Sequence, residues 1–226
     1  MKTKNLRIGI LTAVMLVLWM SPVRAALFNL GGTYSSNIPL FLNGVFDNEA
    51  GGSIDNSTLN GRATWVYCVD LFDNVYAPGT YNYTVVSTTG VVNGQTVDNA
   101  GQVAWLLDHY GTTGQTTEAM ALQAAIWHVI YDGSAGYAGA HTVTLDTSVA
   151  SAALTTEYNN MLSALGNNTA AISSVDWVTP NNGSTMVFQG LVTSAVPEPA
   201  TVIAGAAMLL PFGVSVLRML RRKEAA

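Results

Sequence analysis

The chain has 226 residues, a formal net charge of −5 and only 10% charged residues. The basic residues are concentrated at the two ends, and the interior between residues 26 and 196 holds twelve acidic residues against a single base, Arg62. An interior this acidic argues against binding to nucleic acid or to an anionic membrane, because both need basic surface.

The N-terminus has the three parts of a secretory signal peptide. Lys2, Lys4 and Arg7 precede an apolar run over residues 8–20, and small residues then lead to Ala25. This order predicts a signal peptide over residues 1–25 with cleavage after Ala25. The alternative is an uncleaved anchor, although the run is shorter than the roughly 20 residues that span a bilayer.

The first part of the interior is predicted to form strands joined by loops. Residues 26–61 are rich in Gly, Asn and Ser and contain short apolar pieces. Residues 62–70 are apolar and aromatic, as in a buried strand, and residues 81–86 alternate apolar with polar side chains, as in a half-buried strand. The predicted strands of this part cover residues 38–45, 62–70 and 81–86, with a turn over 77–79.

The period then changes to that of helices. Val103, Leu106, Leu107 and Tyr110 recur at helical spacing, and Gly111 follows as a stop signal. Helices are predicted over residues 99–110, 117–131 and about 148–165, and strands over 175–178 and 185–192. The predicted fold class is therefore α+β: one domain over residues 26–195, a β-sandwich or barrel with a helical insert of about three helices over residues 98–166.

The C-terminus carries a second targeting pattern. Pro197, Glu198 and Pro199 precede an apolar stretch over residues 201–217 and a basic end. Residues 196–226 resemble the PEP-CTERM sorting signal of Gram-negative bacteria, which implies a transmembrane helix and cleavage by an exosortase. The basic end is expected to stay cytoplasmic. Export to the cell surface or extracellular matrix follows, with membrane contact only through this tail; a permanent tail anchor is the alternative.

Cys68 is the only cysteine, so it cannot close a disulfide within the chain. It lies in the string Tyr67-Cys68-Val69-Asp70, and the string from Gln123 to Trp127 follows in the second predicted helix. Together the two strings resemble the thioester domains of bacterial surface adhesins. The resemblance covers about residues 65–132.

That resemblance implies an internal thioester between Cys68 and Gln123, with supporting roles for nearby residues. The supporting set comprises Tyr67, Asp70, Gln102, Trp127 and His128. Gln102 opens a second glutamine element of the family, on the first predicted helix. In one departure from the family pattern, Leu122 stands where many members have Thr before the reactive glutamine.

The implied function is covalent adhesion by a self-modification that needs no cofactor. The target would carry amine or hydroxyl groups, as an exopolysaccharide or a surface protein does. The interior lacks lysine and so cannot acylate itself through a side-chain amine, although compositional bias would explain the same absence.

Two other functions stay open at this point. In the first, the protein is a PEP-CTERM matrix protein that binds non-covalently, and Cys68 is a buried apolar residue. In the second, Cys68 acts with a histidine, His109 or His128, and with Asp70 or Asp108, as a cysteine hydrolase or acyltransferase. No metal site is expected, because His109 and His141 lack partners at ligand spacing.

Overall fold

The computed structural model describes residues 25–32, 37–111, 116–132 and 139–195. The predicted signal peptide, apart from Ala25, and the predicted sorting signal with its transmembrane helix lie outside these residues. Within the described stretches, no helix is both long and apolar enough to cross a membrane.

The described residues form short strands and three α-helices, and one 3₁₀ turn covers Ile172–Ser174. The strands are β1 (Ala25–Leu30), β2 (Asn37–Leu42), β3 (Val45–Ala50), β4 (Ile54–Leu59), β5 (Arg62–Cys68), β6 (Gly79–Ser87), β7 (Val91–Val92), β8 (Gln95–Thr96), β9 (Val143–Leu145), β10 (Val175–Thr179) and β11 (Leu191–Ser194). The helices are α1 (Ala100–Tyr110), α2 (Thr117–Ile130) and α3 (Ala152–Leu165).

Six antiparallel strands close into a barrel in the order β1-β4-β5-β11-β10-β6. Side chains along β1 point alternately to the inside and the outside of the barrel. Ala26, Phe28 and Leu30 are buried, whereas Leu27 between them is exposed. The sequence prediction of an α+β fold agrees with this architecture, and the sheet-rich part is a barrel.

A second sheet lies outside the barrel, in the order β3-β2-β9. Its central strand β2 carries Ile38 and Leu40, which are almost completely buried. Both β2 and β9 contact helix α2, so this sheet covers the helix from one side.

Helix α2 is the centre of the helical part. It contacts α1, α3, β9, β2 and β5. Ten of its fourteen residues are buried, which is the pattern of a helix enclosed on all sides rather than of a surface helix. The hydroxyl of Thr116 accepts a hydrogen bond from the Ala119 N–H and caps its first turn.

The three predicted helices are confirmed, with one boundary moved. Helix α3 begins at Ala152 and not near residue 148, because Ser151 caps it and the Asp146 carboxylate holds Ser148 in a preceding turn.

The strand predicted over residues 185–192 is wrong for most of its length. The strand of this region, β11, covers Leu191–Ser194. Asn182 and Ser184 instead accept hydrogen bonds from backbone N–H groups two residues ahead, which favours turns over strand pairing.

Candidate functional site

Cys68 is the last residue of β5 and only 4% exposed. On one side, β5 pairs with β11, with Cys68 opposite Leu191. On the other side, the pairing with β4 reaches only as far as Val66 opposite Ile54. The backbone of Cys68 therefore extends beyond the end of β4, and its polar groups need another partner there.

Gln123 on α2 supplies that partner. The backbone N–H of Cys68 donates to Gln123 Oε1 (N···O 2.7 Å), and Gln123 Nε2 donates to the Cys68 carbonyl oxygen (N···O 2.8 Å). The Gln123 side chain is completely buried. The two bonds determine the orientation of the carboxamide and place it directly against the cysteine.

The same contacts have a chemical consequence. When a nucleophile adds to the carboxamide carbon, negative charge develops on Oε1, where the Cys68 N–H already donates a hydrogen bond. A donor that is in place before the reaction stabilises such an oxyanion. The arrangement therefore both satisfies the end of β5 and polarises the Gln123 carbonyl.

The sulfur atom contacts a second glutamine. The Cys68 thiol donates to Gln189 Oε1 (S···O 3.3 Å), and Gln189 Nε2 donates to the carbonyl oxygen of Asp70. Because the Asp70 carbonyl can only accept, the oxygen of this amide has to face the sulfur. Sequence reasoning missed Gln189, which lies 121 positions after Cys68 and carries no recognisable motif.

The thiol is held in its protonated form. Burial raises the pKa of Cys68 to about 12, and the negative charges of Glu49 and Asp70 add to the effect. Cysteines that act as ready nucleophiles have the opposite surroundings, since a cation or a helix N-terminus lowers their pKa. Any acylation of this sulfur therefore requires that its proton be removed during the reaction.

Gly51, the residue directly after β3, packs against the Gln123 side chain. A Cβ atom on Gly51 would lie 2.8 Å from Gln123 Cγ, 3.0 Å from Trp127 Cη2 and 2.7 Å from Ile38 Cδ1. The backbone of Gly51 is thus in direct contact with these side chains. Trp127 is completely buried, and its Nε1 has no hydrogen-bond partner among the described residues. The carboxamide is therefore shielded from water.

Two more of the expected supporting residues lie beside Cys68. Tyr67 is buried and packs edge-on against Trp65, with ring centroids 5.6 Å apart. Asp70 is buried, and its carboxylate accepts a hydrogen bond from the Phe72 N–H (2.8 Å).

Gln102 and His128 are directed elsewhere. Gln102 Nε2 donates to the carbonyl of Gly166, the residue that follows α3, and His128 Nδ1 is 2.9 Å from the Tyr158 hydroxyl on α3. Burial lowers the pKa of His128. In the described structure, neither residue is seen in contact with Cys68. Both instead hydrogen-bond to α3 or to the residue after it.

Comparison with known protein families gives a match to part of the chain. Residues 65–171 match the family model of the thioester domain. The matched residues include both Cys68 and Gln123. The match leaves out β1 to β4, β10, β11 and Gln189, so most of the barrel and part of the surroundings of the sulfur lie outside the matched residues. Neither a curated protein nor a solved structure matches the chain.

Proposed function

We propose that this protein attaches itself covalently to a target through an internal thioester between Cys68 and Gln123. The observation that carries the proposal is the placement of the Gln123 carboxamide, held on the backbone of Cys68 by two buried hydrogen bonds. It occurs inside the segment that matches the thioester domain family.

Closure of the thioester would proceed in two steps. Cys68 Sγ adds to the carboxamide carbon of Gln123, and the oxyanion is stabilised by the Cys68 N–H. The carbon–nitrogen bond then breaks, and the nitrogen leaves as ammonia with the proton that the thiol has lost. Burial of both side chains supplies the positioning and the protection from water that the bond requires.

Attachment to the target would break the thioester that closure forms. An amine or hydroxyl of the target adds to the same carbon, the carbon–sulfur bond breaks, and the sulfur regains a proton. The Gln123 acyl group then carries the target as an amide or ester. Each molecule reacts once, so the protein is a self-modifying adhesin and not an enzyme with turnover.

The proposed setting follows from the two ends of the chain. A signal peptide and a PEP-CTERM signal would deliver the protein to the surface or extracellular matrix of a Gram-negative cell after processing by an exosortase. An exopolysaccharide or a surface protein would then supply the amine or hydroxyl group.

The cysteine hydrolase alternative requires a histidine close to the sulfur. His128 is bonded to Tyr158, and His109 stacks on Trp105 with ring centroids 3.9 Å apart. In the described residues, the thiol hydrogen-bonds to Gln189 and not to a histidine. The raised pKa of Cys68 also argues against a histidine pair, which would lower it. We therefore favour the thioester over this alternative.

Chemical trapping tests the proposal. Methylamine should open the thioester, after which Gln123 carries the methylamide and the thiol of Cys68 becomes free. Without methylamine treatment, Cys68 should resist alkylation even in the denatured protein. After methylamine treatment, Cys68 of the denatured protein should be alkylated. Peptide mapping locates both changes. A passive cysteine predicts immediate alkylation on denaturation and no methylamide, and that result would overturn the proposal.

A further inference from the structure

Closure of the thioester needs a group that moves a proton. The thiol of Cys68 is protonated at neutral pH, and the amide nitrogen of Gln123 must gain a proton before it leaves. The glutamine that contacts the sulfur, Gln189, offers an amide oxygen, which is too weak a base for this task. The nearby strand β3 provides a carboxylate.

The pairing of β2 with β3 shows which way that carboxylate faces. Ile38 lies opposite Glu49 and Leu40 lies opposite Asp47. Side chains directly opposite each other in an antiparallel pair stand on the same face of the sheet. Because Ile38 and Leu40 are buried, Glu49 and Asp47 lie on the inward face of β3.

The contact of Gly51 brings this face to the site. Gly51 follows Glu49 by two positions, and a Cβ on it would lie 2.7 Å from Ile38 Cδ1, the residue opposite Glu49, so Gly51 and Glu49 face the same side. Its backbone lies against the side chains of Gln123 and Trp127. Residues two apart in a strand are separated by roughly 7 Å, a distance that a glutamate side chain covers in large part.

The charges at the sulfur point to the same residue. Glu49 perturbs the thiol of Cys68 more strongly than Asp70 does. Asp70 is engaged otherwise, with the Phe72 N–H and with the carboxyl group of Asp73. By contrast, the structure records no hydrogen bond or ion pair for the Glu49 carboxylate within the residues that it describes.

The surroundings of Glu49 also adjust its acidity. Burial raises its pKa, and the charge of Asp47 raises it further. The Cys68 thiol is the other ionisable group with which Glu49 interacts, whereas Ile38 on β2 and Gln123 on α2 do not ionise. A proton carrier works best when its pKa approaches the operating pH, so a raised value suits a carboxylate for this role.

We propose that Glu49 transfers the proton from the Cys68 sulfur to the Gln123 nitrogen during closure. Its carboxylate accepts the thiol proton as the carbon–sulfur bond forms, then delivers it to the nitrogen as the carbon–nitrogen bond breaks. Glu49 ends unchanged. In the attachment reaction it carries a proton from the incoming amine or hydroxyl to the sulfur. This inference rests on the proposed thioester.

The test follows re-closure of the full-length purified protein. Ammonium opens the thioester and restores Gln123, and after its removal intact mass follows the loss of ammonia with time. Glu49→Gln should close about 100-fold more slowly, within the range for loss of a general acid–base group. Glu157→Gln removes the same charge from an exposed position on α3 and should close at the wild-type rate.

The pH profile separates proton transfer from a structural effect. The wild-type rate should rise with pH and level off above the pKa of Glu49, whereas the Gln variant should lack this step. Glu49→Asp keeps the carboxylate but shortens the reach, and its rate should lie in between with the step retained.

Failure of this inference and failure of the proposed function give different results. A wild-type protein that closes, together with a Glu49→Gln variant that closes equally fast, overturns the role of Glu49 alone. A wild-type protein that never loses ammonia overturns both. If the Glu49→Gln variant does not fold, the Glu49→Asp variant provides the test. A Glu49→Asp variant that closes at the wild-type rate and shows no step in its pH profile contradicts the proposal.

Discussion

The hydrogen bonds between Gln123 and Cys68 allow a quantitative test in the absence of any thioester. Cys68→Ala removes the sulfur but keeps the backbone N–H and carbonyl that Gln123 binds. In this background, Gln123→Met keeps the length and apolar volume of the side chain and removes both bonds. The comparison therefore isolates the two contacts from any covalent link.

The expected loss is large. Each buried polar group that loses its partner costs about 1–3 kcal/mol, so two such groups destabilise the fold by about 2–6 kcal/mol. That is a substantial part of the roughly 5–15 kcal/mol by which a domain is stable. Urea unfolding followed by tryptophan fluorescence measures the difference in the free energy of unfolding between the two variants.

Gln102→Met in the same background is the matched control. Gln102 makes an exposed hydrogen bond to Gly166, and removal of such a surface contact changes stability by about 0.5 kcal/mol or less. If the Gln123 and Gln102 variants lose the same stability, the carboxamide is not held on Cys68 and the reasoning fails.

Three further predictions concern the surroundings of the bond. Gly51→Ala should lower the free energy of unfolding by about 1–3 kcal/mol because its Cβ overlaps Gln123, and unchanged urea unfolding would disprove that contact. Gly32→Ala, whose nearest neighbour is at 3.4 Å, is the control. Gln189→Met removes a thiol hydrogen bond of about 1 kcal/mol from the open form. The ammonium concentration at which half of the thioester is open should therefore rise about fivefold, and an unchanged concentration refutes this. In opened, folded protein at pH 9, about one Cys68 in a thousand should be ionised, so alkylation as fast as that of a free thiol would contradict the raised pKa.

Local sequence patterns predicted most of the helical part and missed several hairpins. Apolar spacing located all three helices because each has a buried face, and Ser or Thr caps mark the starts of α2 and α3. The missed hairpins have a readable signal. Asn-Gly pairs at 43–44, 60–61 and 93–94 all adopt the left-handed conformation and join β2 to β3, β4 to β5 and β7 to β8.

The candidate site was predicted only where residues near in sequence carry a pattern. Cys68 and Gln123 stand in two short strings, and the structure brings them together. Gln189 contacts the sulfur because β11, which follows it, pairs with β5. The pairing of β3 with β2 sets the face on which Glu49 lies, and strand register of this kind is not visible in local periodicity. His128 follows Trp127 by one step around a buried helix, and that step directs it to Tyr158 on α3.

The intact mass of the purified protein tests the central claim most directly. Wild type should be lighter than its processed sequence by one ammonia, and Cys68→Ala should have its full mass. A wild-type protein at full mass, freshly purified and never exposed to amines, would contradict the thioester.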